Sequence, residues 1–260
     1  MDNLITELGL ELGAGALMWL LALAFPFRRM SPNDEFRWDL CAVAFAFCFA
    51  LLAGSTLSWV YDRFGGLVAL WQQAVDAWPP AATVAGYVIF ADLSSYVAHR
   101  VLHTKFFWHS HAFHHSSRHL YVLSGLRGSL VHVAALFAGP ILALSLFPIY
   151  ELPLVFALVT VSQVANQHYT HSNVRIPFAR YLELVFVTPR YHFVHHSIDR
   201  HLSNSNFGFL FSLWDRILGT YTDPGTIRED EPLGLDYSNA KWRLLIGIPP
   251  RAVTPPHNLR

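Results

Sequence analysis

Ten of the fifteen histidines in this chain fall in four five-residue clusters. The clusters are His99 and His103 in HRVLH, His111, His114 and His115 in HAFHH, His168 and His171 in QHYTH, and His192, His195 and His196 in HFVHH. Imidazole is a good ligand for iron, zinc, copper and nickel. Ten imidazoles in repeating spacings are enough for two ions, so the sequence predicts a dinuclear metal centre.

The spacing within the clusters suits helices. Residues i, i+3 and i+4 of an α-helix lie on one face, so His99 and His103 can reach one ion together. HAFHH and HFVHH each present three imidazoles to one side. Adjacent histidines diverge by about 100° around the helix axis, so the two members of each HH pair can bind different ions.

The third cluster leaves one position open. His168 and His171 are spaced i, i+3, but Gln167 stands four residues before His171, so either Gln167 or His168 could face the site. Five histidines lie outside the clusters, and we assign them core or surface roles: His109, His119, His132, His201 and His257.

The residues around the clusters narrow the chemistry. No HExxH motif occurs and no glutamate lies inside or beside a cluster, which argues against hydrolysis by a metal-activated water. A nitrogen-rich site without a nearby base suits oxygen activation better. Iron is the usual metal for that chemistry, although spacing alone leaves zinc open.

Ligand imidazoles usually donate their second N–H to a carboxylate or carbonyl. Asp92 lies seven residues before His99, on the same helical face and inside an apolar stretch. A carboxylate within a membrane is costly and usually functional. We expect Asp92 to be a partner of the ligands or a proton-path residue, with helix packing as the alternative. Asp215 and Asn206 are weaker candidates for the same role.

The elements that carry these residues are predicted to be membrane helices. The apolar fraction is 53% and the charged fraction 14%, against about 25% charged in soluble domains. A crossing helix needs about 20 apolar residues. Candidate spans lie near 12–27, 40–61, 79–98, 130–147 and 149–166.

We therefore predict an all-α membrane bundle of four or five spanning helices. A helical cap, formed by 99–129 and 167–226, would hold the histidines. Residues 1–226 would form a single catalytic domain, followed by a C-terminal tail at 227–260.

Basic residues favour the cytoplasmic side of a membrane. With five spans and the N-terminus outside, 17 of the 18 basic residues and all four clusters are cytoplasmic, as is the C-terminus. The formal net charge of zero gives no reason to expect nucleic acid as a partner.

The segment 92–220 resembles the fatty acid hydroxylase and sterol desaturase superfamily of integral membrane di-iron enzymes. The motifs that carry the resemblance are DLSSYVAHRVLH with Asp92, Tyr96, His99, Arg100 and His103, WHSHAFHHSS with Trp108, His111, His114, His115, Ser116 and Ser117, TPRYHFVHHS, and NFGFLFSLWDRILGT with Asn206, Phe207, Gly208, Trp214, Asp215 and Gly219. HHSS, LRGS and TPxxHxxHH look most like the alkylglycerol monooxygenase branch and its bacterial relatives.

The resemblance implies a helical membrane fold with a cap over two iron ions. It also implies an O2-dependent attack on an unactivated C–H bond of a lipid, giving hydroxylation or desaturation. The histidines that match ligand positions of the family are His99, His103, His111, His114, His115, His171, His192, His195 and His196. Gln167 departs from the pattern, because some members carry histidine there.

Each turnover needs two electrons from outside. The chain has no dinucleotide fingerprint, haem pair or cysteine cluster for iron and sulfur, so we expect a separate reductase, ferredoxin or b-type cytochrome.

Four residues are candidates for contact with the lipid substrate. Arg127 or Arg190 could hold an anionic headgroup, and a lipid-phosphate contact without a catalytic role is the alternative. Trp108 and Tyr191 belong to a set of cap aromatics that would shape an apolar channel or form ordinary core.

Two other functions use the same histidines. A metal transporter would place them along a path through the bilayer, whereas here they cluster on one side. A membrane scaffold with structural zinc would bind metal without turnover. Metal analysis combined with oxygen uptake separates these functions from an oxygenase.

Overall fold

The computed structural model describes residues 2–29, 36–237 and 240–248, with the backbone alone at 2–8 and 46–61. These residues form α-helices, three short 3-10 turns and three isolated β-bridges, and no strand. The helices are α1 (Asp2–Ala24), α2 (Phe36–Val75), α3 (Pro80–Leu102), α4 (Trp108–His115), α5 (Leu130–Leu146), α6 (Pro153–Thr170), α7 (Ala179–Leu182), α8 (Pro189–His195), α9 (Arg200–Ser203), α10 (Leu213–Ile217) and α11 (Lys241–Leu245). The predicted all-α class is confirmed for this part of the chain.

Membrane-spanning character is clear for one helix. Among the described residues, α3 alone is both long and apolar enough to cross a membrane by length and composition. Helix α5 and the apolar part of α1, Gly9–Ala24, are shorter. The predicted span 40–61 lies within α2, but the side chains of 46–61 lie outside the described residues. The number of crossings therefore stays a prediction.

Helices α3 and α5 form the apolar core beneath the cap. Their contact buries Tyr87, Ala91 and Ala143 together with Phe147. A Cβ atom at Gly139 of α5 would lie 2.0 Å from the Ser94 hydroxyl oxygen of α3. Only glycine therefore permits this close approach, which fixes the end of α3 that carries His99.

Helices α5 and α6 diverge after Pro148. Helix α5 packs on α3 and α2, whereas α6 packs on α1. The two helices therefore have different main packing partners on the two sides of Pro148.

Helix α1 packs along α6, and two of its side chains contact the predicted cap. The Glu11 carboxylate contacts His168 Nε2 at 2.7 Å, and Trp19 packs edge-on against Tyr121. Beyond the helix, the Phe27 amide donates to the Asn173 carbonyl. These contacts join both ends of α1 to the predicted cap, and the predicted span near 12–27 stays a prediction.

The cap consists of short helices whose starts are defined by the sequence. The Thr188 hydroxyl accepts a hydrogen bond from the Tyr191 amide, and Pro189 occupies the first turn of α8. Both features stabilise a helix N-terminus. Asp199 caps α9 in the same way. The capped start of α8 sets the position of HFVHH at its C-terminal end.

The described part of the predicted tail packs on the body of the protein. Leu244 of α11 is buried against Phe113 of α4. The Lys241 ammonium donates to the Ser116 carbonyl, and the Trp108 indole N–H donates to the Tyr237 hydroxyl. Tyr237 and α11 therefore cover the helix that carries HAFHH.

Candidate metal centre

The predicted ligands lie at the ends of four helices. His99 and His103 come from the last turn and C-cap of α3, and His171 from the C-cap of α6. The HAFHH histidines lie on α4 and the HFVHH histidines on α8 and its C-cap. All nine side chains are buried. The four helices converge, although their histidines are as far apart in sequence as residues 99 and 196.

The first group of ligands contains five histidines. One ring nitrogen from each lies within 4.8 Å of the others: His99, His103, His111, His115 and His195. The closest pair, Nε2 of His103 and Nε2 of His115, is 3.0 Å apart. His111 Nε2 is 3.2 Å from the Nε2 atoms of His99 and of His115.

The second group contains four histidines: His114, His171, His192 and His196. His192 Nε2 lies 2.9 Å from Nε2 of His171 and 3.0 Å from Nε2 of His196. The Nε2 atoms of His171 and His114 are 3.2 Å apart. The adjacent pairs His114–His115 and His195–His196 are divided between the two groups, as the divergence of neighbouring helical side chains predicts.

Five of the nine imidazoles have their protonation pattern set by an oxygen acceptor. In each, Nδ1 donates to an oxygen that cannot itself donate: His99 to Phe207 O, His103 to Asn204 Oδ1, His114 to Arg127 O, His171 to Gln167 O and His195 to Ser205 O. The Nε2 atom of a neutral ring then carries a lone pair. These lone pairs are directed into the two groups.

Burial keeps the rings neutral. Burial lowers the pKa of His171 to about 4. Burial, with smaller contributions from neighbouring imidazoles, lowers the pKa of His114, His192 and His196 well below the ordinary value. His114 and His171 therefore face each other with two lone pairs 3.2 Å apart and no proton between them. A shared cation relieves that repulsion.

The geometry fits metal ions. Two nitrogens bound at about 2.1 Å and at right angles to each other are about 3 Å apart, which matches the contacts within each group. His195 Nε2 is buried and has no hydrogen-bond partner among the described residues. Backbone and amide oxygens on the opposite ring nitrogens are the usual support for metal-bound imidazoles. Both groups can hold a metal ion.

Asp92 does not contact a histidine. Its carboxylate accepts hydrogen bonds from the amides of Leu210 and Phe211 and from the Trp214 indole. The expected contact with a ligand imidazole is therefore not formed, the contacts fit the packing alternative, and the proton-path role stays a prediction. Seven residues place Asp92 on the face of His99 but about 10 Å away along the helix, where the 210–214 segment meets α3.

Asp215 and Asn206 hold the adjoining loop. The Asp215 carboxylate accepts from the amides of Phe207 and Gly208, and Asn206 accepts from the Thr222 amide. Asn206 has φ +56°, a left-handed conformation that asparagine tolerates. Because Phe207 O accepts the His99 N–H, these residues orient a ligand through the backbone and not by direct contact.

Gln167 and His168 lie outside both groups. The Gln167 carbonyl accepts the His171 N–H, while its side chain donates to the Gly125 carbonyl. His168 contacts the Val122 carbonyl and the Glu11 carboxylate. Of the two alternatives at this corner, neither side chain joins the ligands.

The candidate substrate residues have partners within the protein. Arg127 is fully buried, and its guanidinium donates to Asp39 at 2.5 Å. Arg190 pairs with Glu183. The sequence could not show these carboxylates as partners, because Asp39 is 88 residues away from Arg127.

The two candidate aromatic residues support the site. Trp108 packs on His103 and His115, with ring centroids 5.1 Å away in each case. Buried Tyr191 donates to Asp215. None of the four candidate substrate residues lines the large apolar cavity between α1, α3, α5 and α6.

His132 is a site residue that sequence reasoning missed. Its Nδ1 lies 2.6 Å from His111 Nδ1, and its ring stacks on His111 with centroids 4.7 Å apart. It also packs against His114, 4.9 Å away. As a lone histidine in an apolar helix, it had no partner at helical spacing. Its position at the start of α5, beside LRGS, was the only available signal.

A cavity of about 1420 Å³ ends beside the two groups. Apolar side chains of α1, α3, α5 and α6 form most of its wall. His132 lines it, as do Gly125 and Gln167, which adjoin His171. A large apolar space thus reaches the residues directly behind the predicted ligands.

Comparison with known proteins identifies the family. The profile of the fatty acid hydroxylase family matches residues 84–220, which is more than half of the chain and includes all nine predicted ligands. The chain is 35% identical over 153 residues to ornithine lipid hydroxylase OlsE of Rhizobium tropici. It is 26% identical over 208 residues to alkylglycerol monooxygenase of Caenorhabditis elegans, and 31% identical over 133 residues to the human alkylglycerol monooxygenase.

These matches cover 57%, 78% and 50% of this chain, and 44%, 38% and 28% of the respective relatives. The chain therefore spans less than half the length of each of these curated relatives. No solved structure matches it. The superfamily and the branch expected from the histidine motifs are confirmed, and the chain belongs to the fatty acid hydroxylase family.

Proposed function

We propose that the chain is a membrane di-iron oxygenase that hydroxylates, or desaturates, an unactivated C–H bond of a lipid. The observation that carries the proposal is the pair of buried imidazole groups, with inward lone pairs, at the end of an apolar cavity. The names of the relatives, a lipid hydroxylase and monooxygenases, support an O2-dependent oxidoreductase of this class.

The two histidine groups would each hold one iron ion. Iron in such a site supplies the redox chemistry by which O2 attacks a C–H bond. The protein itself would hold the imidazole rings in place and keep them neutral. Phe207, Arg127 and Ser205 hold three of the rings through their carbonyls. Burial keeps the imidazoles neutral, which is the form that binds metal.

The electrons must come from outside the described site. Hydroxylation follows R–H + O2 + 2e⁻ + 2H⁺ → R–OH + H2O. Desaturation of a CH2–CH2 unit consumes the same O2, electrons and protons and releases two waters. We propose a separate reductase, ferredoxin or b-type cytochrome as the donor.

The cavity would bind and orient the lipid. Its volume exceeds the roughly 300–1,000 Å³ of ordinary small-molecule sites, and its wall is mostly apolar. Apolar side chains also lie exposed on the outer surfaces of the helices, among them Leu12, Leu23 and Leu154, at 66–73%. Exposed apolar surface of this kind suits a bilayer.

We propose that the histidine groups lie on the cytoplasmic side of the membrane. Most basic residues of the chain would lie on the same side as the histidines, and basic residues favour cytoplasmic loops. The sequence leaves four or five crossings, and exposed apolar residues such as Leu12 and Leu23 keep α1 among the candidates. In the five-crossing arrangement the N-terminus would lie outside.

Metal analysis combined with oxygen uptake tests the proposal. The full chain is purified in detergent, loaded with ferrous iron or zinc, and supplied with reductant and lipid. We expect two irons per chain and O2 uptake that depends on lipid. Bound zinc without lipid product would point to a scaffold, and metal transport into vesicles would point to a transporter. Either result would overturn the oxygenase proposal.

A further inference from the structure

One surface of the cap is apolar where a surface in water would be polar. It is formed by residues 178–186, which contain α7, and by residues 213–218, which contain α10, and we call it the outer cap surface. In the first segment, six large side chains are 38–79% exposed: Phe178, Tyr181, Leu182, Leu184, Val185 and Phe186. In the second, Ile217 is 70% exposed. A contiguous apolar patch of this kind marks a surface that meets a partner or a membrane.

The acidic residues of the same two segments are turned inward. Glu183 and Asp215 are both buried. Glu183 pairs with Arg190 inside the cap. Arg180, by contrast, is exposed, and its guanidinium donates to the Tyr181 hydroxyl at 2.6 Å. The outer cap surface therefore presents apolar side chains and a cation to its surroundings, and no carboxylate from either segment.

The two segments form one continuous surface. The Ser212 amide donates to the Val185 carbonyl at 2.9 Å, next to an antiparallel bridge between Phe186 and Phe211. The rings of these two phenylalanines pack with centroids 5.6 Å apart. At the far end, Phe178 has φ +58°, which is rare for a bulky residue. Its ring is nevertheless among the most exposed in the cap.

Contacts with α3 show what surrounds this surface. The Trp214 indole N–H donates to the Asp92 carboxylate at 2.7 Å, and Tyr96 and Thr220 join their hydroxyls at 2.7 Å. Asp92 lies ten residues before Leu102, the end of α3, which is about 15 Å along the helix axis. The segment 213–218 is therefore held beside the apolar part of α3 and not beyond its end. The medium that covers the exposed face of α3 also covers the outer cap surface.

We propose that the outer cap surface is embedded in the cytoplasmic leaflet of the bilayer. The inference rests on the proposed function, because it takes α3 as a membrane helix, and it goes further by placing part of the cap within the lipid. Interfacial elements bury their apolar face about 5–10 Å into the boundary of headgroups and acyl chains. Phe178, Leu184 and Ile217 would lie among the acyl chains. Arg180 would lie at the level of the anionic headgroups, which attract basic side chains.

Site-directed spin labelling measures the depth of this surface. The full chain, with Cys41 and Cys48 replaced by alanine, is reconstituted into nanodiscs of phosphatidylcholine and phosphatidylglycerol. A nitroxide is attached in turn to Phe178→Cys, Leu184→Cys and Ile217→Cys. Power-saturation electron paramagnetic resonance compares collisions with O2, which partitions into lipid, and with a water-soluble nickel chelate. We expect all three labels to be more accessible to O2 than to the chelate.

Two further labels calibrate the measurement. Ile89→Cys lies on the exposed face of α3 and reports the bilayer. Arg228→Cys reports water, because the Arg228 side chain is 74% exposed and pairs with the equally exposed Asp230. The three surface labels should shift in the same direction as Ile89→Cys and opposite to Arg228→Cys. Metal content of each labelled chain reports folding independently of depth.

Three results would overturn the proposal. Surface labels that meet the nickel chelate freely, while Ile89→Cys stays in lipid, would place the outer cap surface in water and leave the membrane oxygenase intact. Surface labels shielded from both reagents would show that a second copy or another protein covers the surface. A label at Ile89→Cys that lies in water would remove the crossing helix on which this inference and the proposed membrane enzyme both rest, so the two failures are distinguishable.

Discussion

At the scale of single residues, the site is defined by which ring nitrogen carries the proton. Oxygen acceptors on the outer nitrogens of five histidines leave lone pairs facing inward. Burial opposes protonation of the same rings. The result is two groups of neutral imidazole nitrogens whose lone pairs face inward. Such nitrogens are ligands for a metal cation.

Replacing His196 with alanine should remove a direct ligand of the second group. We expect lower metal content and a loss of turnover greater than the about 10–100-fold that loss of an outer hydrogen-bond partner costs. His109→Ala is the control, because His109 lies on the same helix as HAFHH but outside both groups. Elemental analysis and product formation check both variants. Near-normal metal and turnover in His196→Ala would contradict the ligand assignment.

Gly125→Ala should disturb one group selectively. A Cβ at this position would lie 2.6 Å from Cγ and Nδ1 of His171, so the ring must move. We expect bound metal to fall toward half of the wild-type content. Gly65→Ala, with nothing within 4 Å of the added Cβ, should keep full occupancy. Equal metal content in the two variants would show that the contact has no effect on binding.

Residue type and spacing predicted the nine histidines that the structure brings together. They did not predict His132 or the close approach of Gly125 to His171, because neither has a pattern within its own helix. Both depend on how α5, α6 and the Ser124–Leu126 turn pack against one another. Such contacts join residues more than 20 positions apart and leave no periodic signal.

At the scale of elements, helix ends position the ligands and one loop orients them. Residues 204–207 provide the acceptors for His103, His195 and His99. Asp92 and Asp215 hold the following stretch through its backbone amides. The polar network thus ties the apolar helix α3 to the cap beside the first group.

Asp92→Asn should weaken this tie between α3 and the loop. Hydrogen bonds to a charged acceptor contribute about 1.5–3 kcal/mol each, and asparagine keeps only one acceptor oxygen. We expect a lower unfolding temperature and partial loss of metal from the first group. Asp76→Asn, at an exposed position, is the matched control. An unchanged unfolding temperature in Asp92→Asn would exclude the clamp role.

The sequence predicted helices for the long apolar stretches, and the structure has them. It did not predict the contacts of Glu11 with His168 and of Trp19 with Tyr121, since nothing in an apolar stretch indicates which side chains will meet the cap. It also assigned Asp92 to the histidines, because helical spacing shows a shared face but not which loop will pack there. The partners at 210–214 are over 110 residues away.

At the scale of the whole molecule, burial of so many imidazoles links folding to pH. The pKa of His171 in the folded, metal-free protein is about 4, below the ordinary value of about 6.5 in an unfolded chain. The unfolded chain therefore binds more protons between these values. Stability is fully present above pH 6.5 and is lost as the pH falls toward 4.

Thermal unfolding of the metal-free protein should reflect this linkage. Between pH 7 and pH 5, His171 alone should cost on the order of 2 kcal/mol of unfolding free energy, and the unfolding temperature should drop. His201→Ala should show the same drop, because His201 is exposed. An unfolding temperature that stays constant from pH 7 to pH 5 would contradict the buried neutral state of the histidines.

The whole molecule joins a lipid-sized cavity to two metal-binding groups, and isotopic labelling tests that connection most directly. The iron-loaded chain is given reductant, a lipid substrate and ¹⁸O2 in unlabelled water, and the product is analysed by mass spectrometry. We predict a hydroxylated lipid that carries ¹⁸O, or, if the chain desaturates, an alkene formed only with O2. A chain with two bound irons and reductant that leaves the lipid unchanged, or that places water oxygen in the product, would contradict the account.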